Sequence, residues 1–202
     1  GSNLFFRGPG AVLDVVRIEL DAPLVADWQA RVTRARARLG WDVAAPCVAR
    51  YHATGASLAI AAPFDQLFAA TEVNEWALCA ALHERDPQHW CGLRDALRAA
   101  AQAADPNPAN VLPPEVDEPA ALARLERIAA GEARPALRAL VHEAEGRDLP
   151  WLLDDETLSL GAGVAGCGFP LGELPRVHDV PWEELRPVPT VLVTGSNGKT
   201  TT

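Results

Sequence analysis

Methionine is absent from all 202 residues, so Gly1 is not a translation start, and the chain reads either as a piece of something longer or as native sequence behind an added scar. Lysine is nearly absent as well: 17 of the 18 basic residues are Arg, and Lys199 stands alone. The Arg and Ala bias of a GC-rich genome accounts for the missing lysines but gives Lys199 no purpose. No apolar run approaches the roughly 20 residues that cross a bilayer, and the N-terminus lacks the basic-then-apolar layout of a secretory signal. These absences predict a cytoplasmic protein without a membrane partner. A surplus of positive charge is missing too. With 18 basic against 27 acidic residues, net −9, the charge argues against a sequence-independent grip on nucleic acid or anionic lipid. Cysteine is sparse and scattered, at Cys47, Cys79, Cys91 and Cys167, with no C-x-x-C pair, so neither disulfide staples nor a closed zinc set is expected. Cys79, His83, His89 and Cys91 come nearest to a metal-ligand spacing, and ordinary core and surface roles account for them better. What is present suffices for a core: 49% apolar and 22% charged residues predict a folded chain, one domain of ordinary size with part of a second.

The apolar pattern alternates between the two regular periods. Ala11–Asp21 alternates, with Val16, Ile18 and Leu20 opposite Arg17, Glu19 and Asp21, which predicts a half-buried strand. Pro23 then opens a helical stretch in which Leu24, Trp28, Val32, Ala35 and Leu39 recur, and Gly40 stops it. A second apolar run, Ala56–Ala62, leads into a longer helix carrying Leu67, Phe68, Thr71, Leu78, Ala81 and Leu82. Further helices are expected over Leu93–Ala104, Pro119–Ala130 and Pro135–Glu145, the first two separated by the Pro-rich DPNPANVLPPEVDEP. After Gly146 the texture changes: LPWLLDD and TLSL read as short strands, a glycine-rich stretch as a flexible loop, and RVHDVPWEELRPVP as a connector. Thr190–Thr194 is a short continuous apolar run of the kind that forms a strand buried on both faces. The expected organisation is an N-terminal α/β, mixed-sheet domain over 1–148, a connector over 149–188, and the start of a further domain over 189–202.

Charge is unevenly distributed. Residues 1–60 hold seven Arg against five acids, whereas residues 115–156 hold eleven acids against five Arg. Solvated helix faces account for most such blocks. Arg31, Arg34 and Arg38, on one face of the first predicted helix, offer an alternative use: holding the carboxylates of an acidic or polymeric peptide in a binding module that does no chemistry itself.

Chemistry concentrates at Gly195-Ser196-Asn197-Gly198-Lys199-Thr200-Thr201. Gly195 and Gly198 let the backbone turn tightly and aim successive N–H groups into one concavity, a nest for phosphate oxygens. A helix beginning near Lys199 or Thr200 would add its positive end. Lys199 supplies a mobile charge for the β- and γ-phosphates, and the Thr200 hydroxyl suits the Mg²⁺ that bridges them. The expected ligand is ATP or a relative. The strict pattern G-x-x-x-x-G-K-[ST] is not met, because Val193 stands where its first glycine belongs.

The run Thr194–Thr202, TGSNGKTTT behind an apolar strand, resembles the ATP-binding loop of the Mur ligase family, T-G-[TS]-N-G-K-[TS]-[TS]. The resemblance implies that Gly195, Asn197, Gly198 and Lys199 wrap the ATP phosphates and that Thr200 binds magnesium. It also implies a reaction, in which a carboxylate activated as an acyl phosphate is attacked by an amine to form an amide, both substrates being amino acids or peptides. The family's metal-binding acids, its modified lysine and its C-terminal domain follow this loop in sequence, so the fragment alone is expected to be inactive. Upstream, NLFFRGPGAVLDVVRIELD and Leu160-Gly161-x-Gly163 are similar to segments of cyanophycin synthetases. Those enzymes place an ATP-grasp domain between their N-terminal and Mur-like domains, for which this chain has no room. An oligomer is compatible with all of this. Gly161-Ala-Gly163-Val-Ala-Gly166 spells G-x-G-x-x-G, but Cys167-Gly-Phe-Pro170 follows where a dinucleotide fingerprint needs a helix, so NAD is not expected.

Overall fold

In the computed structural model the described residues are 4–16, 20–88, 90–91, 95, 99 and 116–187. The chain divides into two compact units, Gly1–Ala133 and Arg134–Thr202. Each is an arrangement of helices with one three-stranded antiparallel sheet.

The N-terminal unit opens with strand β1 (Gly10–Val16) and helix α1 (Ala22–Leu39), continues through strands β2 (Cys47–His52) and β3 (Gly55–Ala61), and closes with helices α2 (Leu67–Arg85) and α3 (Glu118–Glu132). Its sheet has the order β1-β3-β2. A mixed sheet was expected; both pairings are antiparallel. The reason is β2, a strand without a period-2 signal strong enough to read from sequence. It turns back into β3 through the two residues Ala53 and Thr54, with His52 opposite Gly55. At Gly55 the chain passes so close to β1 that a β-carbon would lie 1.8 Å from the Val15 carbonyl oxygen, which only glycine tolerates.

One face of this sheet carries Ala11, Leu13 and Val15 opposite Ile60, Leu58 and Ala56, and this face builds the core with α1 and α2. On α1 the expected residues Leu24, Trp28, Val32 and Ala35 are buried. The helix starts where Asp21 accepts a hydrogen bond from the Leu24 N–H at 3.0 Å, and it ends at Gly40, whose N–H donates to the Arg36 carbonyl. Helix α2 forms as expected, but Leu67, Phe68 and Thr71 lie outside. Ala69, Ala70, Val73, Trp76, Ala77, Leu78, Ala80 and Ala81 are the residues that pack. So many small residues make the helix apolar nearly all round, and the packing partner then chooses the face.

Polar side chains tie this core together. The Trp28 indole N–H donates to Asn74 Oδ1 at 3.0 Å, and Asn74 Nδ2 donates to the Leu58 carbonyl at 2.9 Å, so α1, α2 and β3 share one buried relay. Trp41 donates to Gln66 Oε1 at 2.8 Å, and Gln66 Nε2 donates to the Ala129 carbonyl at 2.6 Å, which joins α3. Arg36, 1% exposed, donates to the carbonyls of Ala45, Pro46 and Ala61 and fastens the segment before β2. Burial holds its guanidinium below the usual Arg range.

The C-terminal unit contains helix α4 (Pro135–Gly146) and strands β4 (Trp151–Leu153), β5 (Thr157–Leu160) and β6 (Cys167–Pro170) in the order β4-β5-β6. The two expected short strands are β4 and β5. Helix α4 groups with this unit, so the contact boundary falls between Ala133 and Arg134. The expected helix over 93–104 lies largely outside the described residues, as do 188–202. No helix among the described residues is long and apolar enough to cross a membrane.

Candidate functional site

The residues assigned to nucleotide and metal, Gly195, Ser196, Asn197, Gly198, Lys199, Thr200 and Thr201, lie outside the described residues, as does the apolar run Thr190–Thr194 before them. The structure does describe the chain that leads to them, and that chain is anchored. Leu185 is buried and lies against Gly161, whose φ of +75° suits the close turn there. The Arg186 carbonyl accepts from the Ala162 N–H at 3.1 Å, and the Arg186 guanidinium donates to the carbonyls of Glu183 and Leu185. Trp182 donates to the Val177 carbonyl at 2.6 Å. Arg147 lies over the Trp182 ring at 5.3 Å and pairs with Glu143 and Glu183, which hold its guanidinium above the usual range. The proline-marked connector is therefore pinned to its own unit up to Arg186.

The G-x-G-x-x-G run turns out more ordered than a flexible loop. Gly163–Ala165 form a single 3-10 turn and Cys167–Pro170 form β6, paired with β5 so that Leu160 faces Cys167. No helix starts within the run, so it lacks the element on which a pyrophosphate rests.

The arginine row on α1 is occupied. Arg31, 7% exposed at its side chain, pairs with Asp27 and Glu84. Arg34 binds Glu118 of α3 through two hydrogen bonds, Nε to Oε1 at 2.6 Å and Nη2 to Oε2 at 2.9 Å. Arg38 binds Glu126 of α3 at 2.9 Å. The hydrogen bond from Arg34 holds the Glu118 carboxyl below the usual range, and Glu118 in turn raises Arg34. The row is not an open carboxylate receptor: Arg34 and Arg38, though exposed, are paired with acids from the acidic block of the same chain, and Arg31 with Asp27 and Glu84. The signal was present in the sequence as complementary charge excesses, but spacing alone could not say that the two blocks meet.

Three further acidic side chains tie elements together. Glu132 of α3 accepts from the backbone N–H groups of Phe68 and Ala69 at 2.9 and 2.8 Å, and so caps α2, whose own N-cap Gln66 makes no side-chain cap bond. Glu72 of α2 pairs with Arg124 of α3. Asp21 accepts two hydrogen bonds from Arg85 and one from Leu24 N–H, and its carboxyl is lowered to about 2.

Of the cysteine and histidine set, His89 lies outside the described residues. Burial pushes the Cys79 thiol up to about 12 and the Cys47 thiol up to about 11. No group of three or more His, Cys, Asp or Glu side chains that could hold a metal occurs among the described residues. No protein-family model matches the chain, and no curated protein matches it in sequence.

Proposed function

We propose that the chain supplies the N-terminal part and the phosphate loop of an ATP-dependent amide ligase of the Mur type, working in the cytoplasm. One observation carries this reading: the contiguous run Thr194–Thr202, with Lys199 the single lysine, directly after an apolar segment. In it, Gly195, Ser196, Asn197, Gly198 and Thr201 line the phosphates through backbone N–H groups and short polar side chains. Lys199 neutralises the β- and γ-phosphates, and the Thr200 hydroxyl holds Mg²⁺. Residues 189–202 then form the first strand and loop of the ATPase domain. The anchored approach through Leu185 and Arg186 supports this, since a phosphate loop needs a fixed strand before it.

Magnesium supplies charge neutralisation when bound. The chain's own contribution is orientation: a nest that keeps the γ-phosphoryl group in line with a substrate carboxylate, so that an amine can then displace phosphate and close an amide. In the intact protein bearing this sequence, Lys199→Ala should lower ATP consumption about 10²–10³-fold, the usual loss for one transition-state charge contact. Product analysis should find ADP with a new amide. ATP consumption that survives Lys199→Ala undiminished, or a phosphorylated product in place of an amide, overturns the reading.

A further inference from the structure

We infer that the turn Leu160–Ala162 positions the phosphate loop, seating the connector at Leu185 and Arg186 so that ATP binds only while that seat is filled. The inference rests on the ligase reading above and adds to it a role for Gly161, Ala162 and Leu185. Strand β5 ends at Leu160, which has no exposed surface, and the Gly161 N–H donates to the Pro150 carbonyl at 2.9 Å, so the turn is tied to the residue before β4. Gly161 has a φ of +75°, and a β-carbon there would lie 2.9 Å from the Ala165 carbonyl oxygen, 3.3 Å from Gly166 Cα and 3.4 Å from Leu185 Cβ. Glycine is thus required twice at one position, by the left-handed turn and by the crowding around it. Next to it the Ala162 N–H donates to the Arg186 carbonyl at 3.1 Å, and Leu185 is 3% exposed. A second hold comes from Arg147, which lies over the Trp182 ring and pairs with Glu183. The Glu183 side chain is 94% exposed, so this pair contributes little, and the seat depends on the buried Leu185 contact and the Ala162 bond.

The seat is the furthest point along the chain at which the described residues are held. Gly195 follows Arg186 by nine residues, at most about 32 Å of chain, and prolines at 187 and 189 have ring-fixed φ, so the position of Arg186 limits where the loop can be. The consequence is a population effect. With the seat filled about a tenth of the time, ATP binds about tenfold more weakly, yet saturating ATP draws the seat closed and restores the working geometry. Linkage is reciprocal, so bound ATP must hold the seat by the same factor.

Kinetics and hydrogen exchange on the intact protein bearing this sequence test the coupling. Gly161→Ala and, separately, Leu185→Ala should each raise KM for ATP about tenfold and leave kcat within about twofold. A general loss of folded protein does the opposite: fewer molecules work, each binds as before, and kcat falls at unchanged KM. Gly172→Ala, where no atom lies within 4 Å of an added β-carbon, should change neither. Exchange gives a readout free of turnover and needs no variant. In the parent, saturating ATP with Mg²⁺ should slow exchange of the Ala162 amide at least about tenfold while leaving the Leu58 amide of the N-terminal unit unchanged. Unchanged KM in both variants, or an Ala162 amide indifferent to ATP, overturns the positioning role and leaves the ligase reading standing. A parent that neither binds nor consumes ATP fails the ligase reading itself, and this inference falls with it.

Discussion

The buried relay Trp28–Asn74–Leu58 allows a quantitative test of the core. Asn74→Leu removes two hydrogen bonds while roughly conserving volume. The Trp28 indole N–H, in a residue with no exposed surface, then has no acceptor, which costs about 1–3 kcal/mol; the lost bond to the Leu58 carbonyl adds about 1 kcal/mol. The expected total is about 2–4 kcal/mol. Trp28→Phe leaves Asn74 Oδ1 without its donor instead and should cost about 1–3 kcal/mol. In the double variant neither orphan of that bond exists, so the two losses should not add: a coupling of about 1–2 kcal/mol is expected. Urea unfolding followed by far-ultraviolet circular dichroism measures all four chains without depending on the altered fluorescence of Trp28. Additivity within about 0.5 kcal/mol would show that the indole and the amide do not share the bond, and the account of how α1 is locked onto α2 and β3 would fail.

Three smaller effects follow from the same contacts. Glu132→Ala removes the cap that α3 lends to α2 and should cost about 0.5–2 kcal/mol in urea unfolding, whereas Glu132→Gln, which keeps one acceptor, should cost less. The Asp21 carboxyl lies below its ordinary value of 3.8 in the folded state, at about 2, because Arg85 and the Leu24 N–H bind its charged form. Its contribution is therefore complete above pH 3.8 and is lost as pH falls toward 2, and Asp21→Asn should flatten the acid-unfolding profile in that window while keeping the cap. Gly55→Ala would place a methyl group against the Val15 carbonyl oxygen and should weaken the β1–β3 pairing by more than the roughly 1 kcal/mol of an ordinary glycine substitution, seen as faster amide exchange in Ala11–Val15.

How much of this was legible depended on whether the signal was local. Helix α1 could be read almost residue by residue because Asp21, Pro23 and Gly40 act within one turn of their own position, and because its apolar stripe is narrow. Strand β2 could not. Its outward residues Val48, Arg50 and His52 mix apolar and charged types, and its turn through Ala53 and Thr54 carries none of the residues that mark a hairpin. Helix α2 was found but its face was not, since alanine on every side leaves the choice to the sheet and to α3. Strand β6 was hidden by its glycine and proline, and it exists because β5 supplies a ladder for it.

The arginine row shows most clearly where local reading stops. Arg31, Arg34 and Arg38 share a helix face, and any anion would satisfy them; which anion does so is a tertiary fact. The nearest carboxylates in the chain are Asp27, on the same helix, and Glu84, Glu118 and Glu126, which fold places beside the row. An intramolecular partner has a high effective concentration, so an external acidic ligand must displace α3 before it can use Arg34 or Arg38. The consequence reaches the proposed ligase. Reversing these arginines acts first on the attachment of α3 and only afterwards on any substrate, so a change in KM after Arg34→Glu reports substrate binding only if Arg34→Glu with Glu118→Arg, which rebuilds the pair with its charges exchanged, leaves KM equally changed. If the exchanged pair restores KM, the row is part of the scaffold, and the substrate carboxylate is held elsewhere.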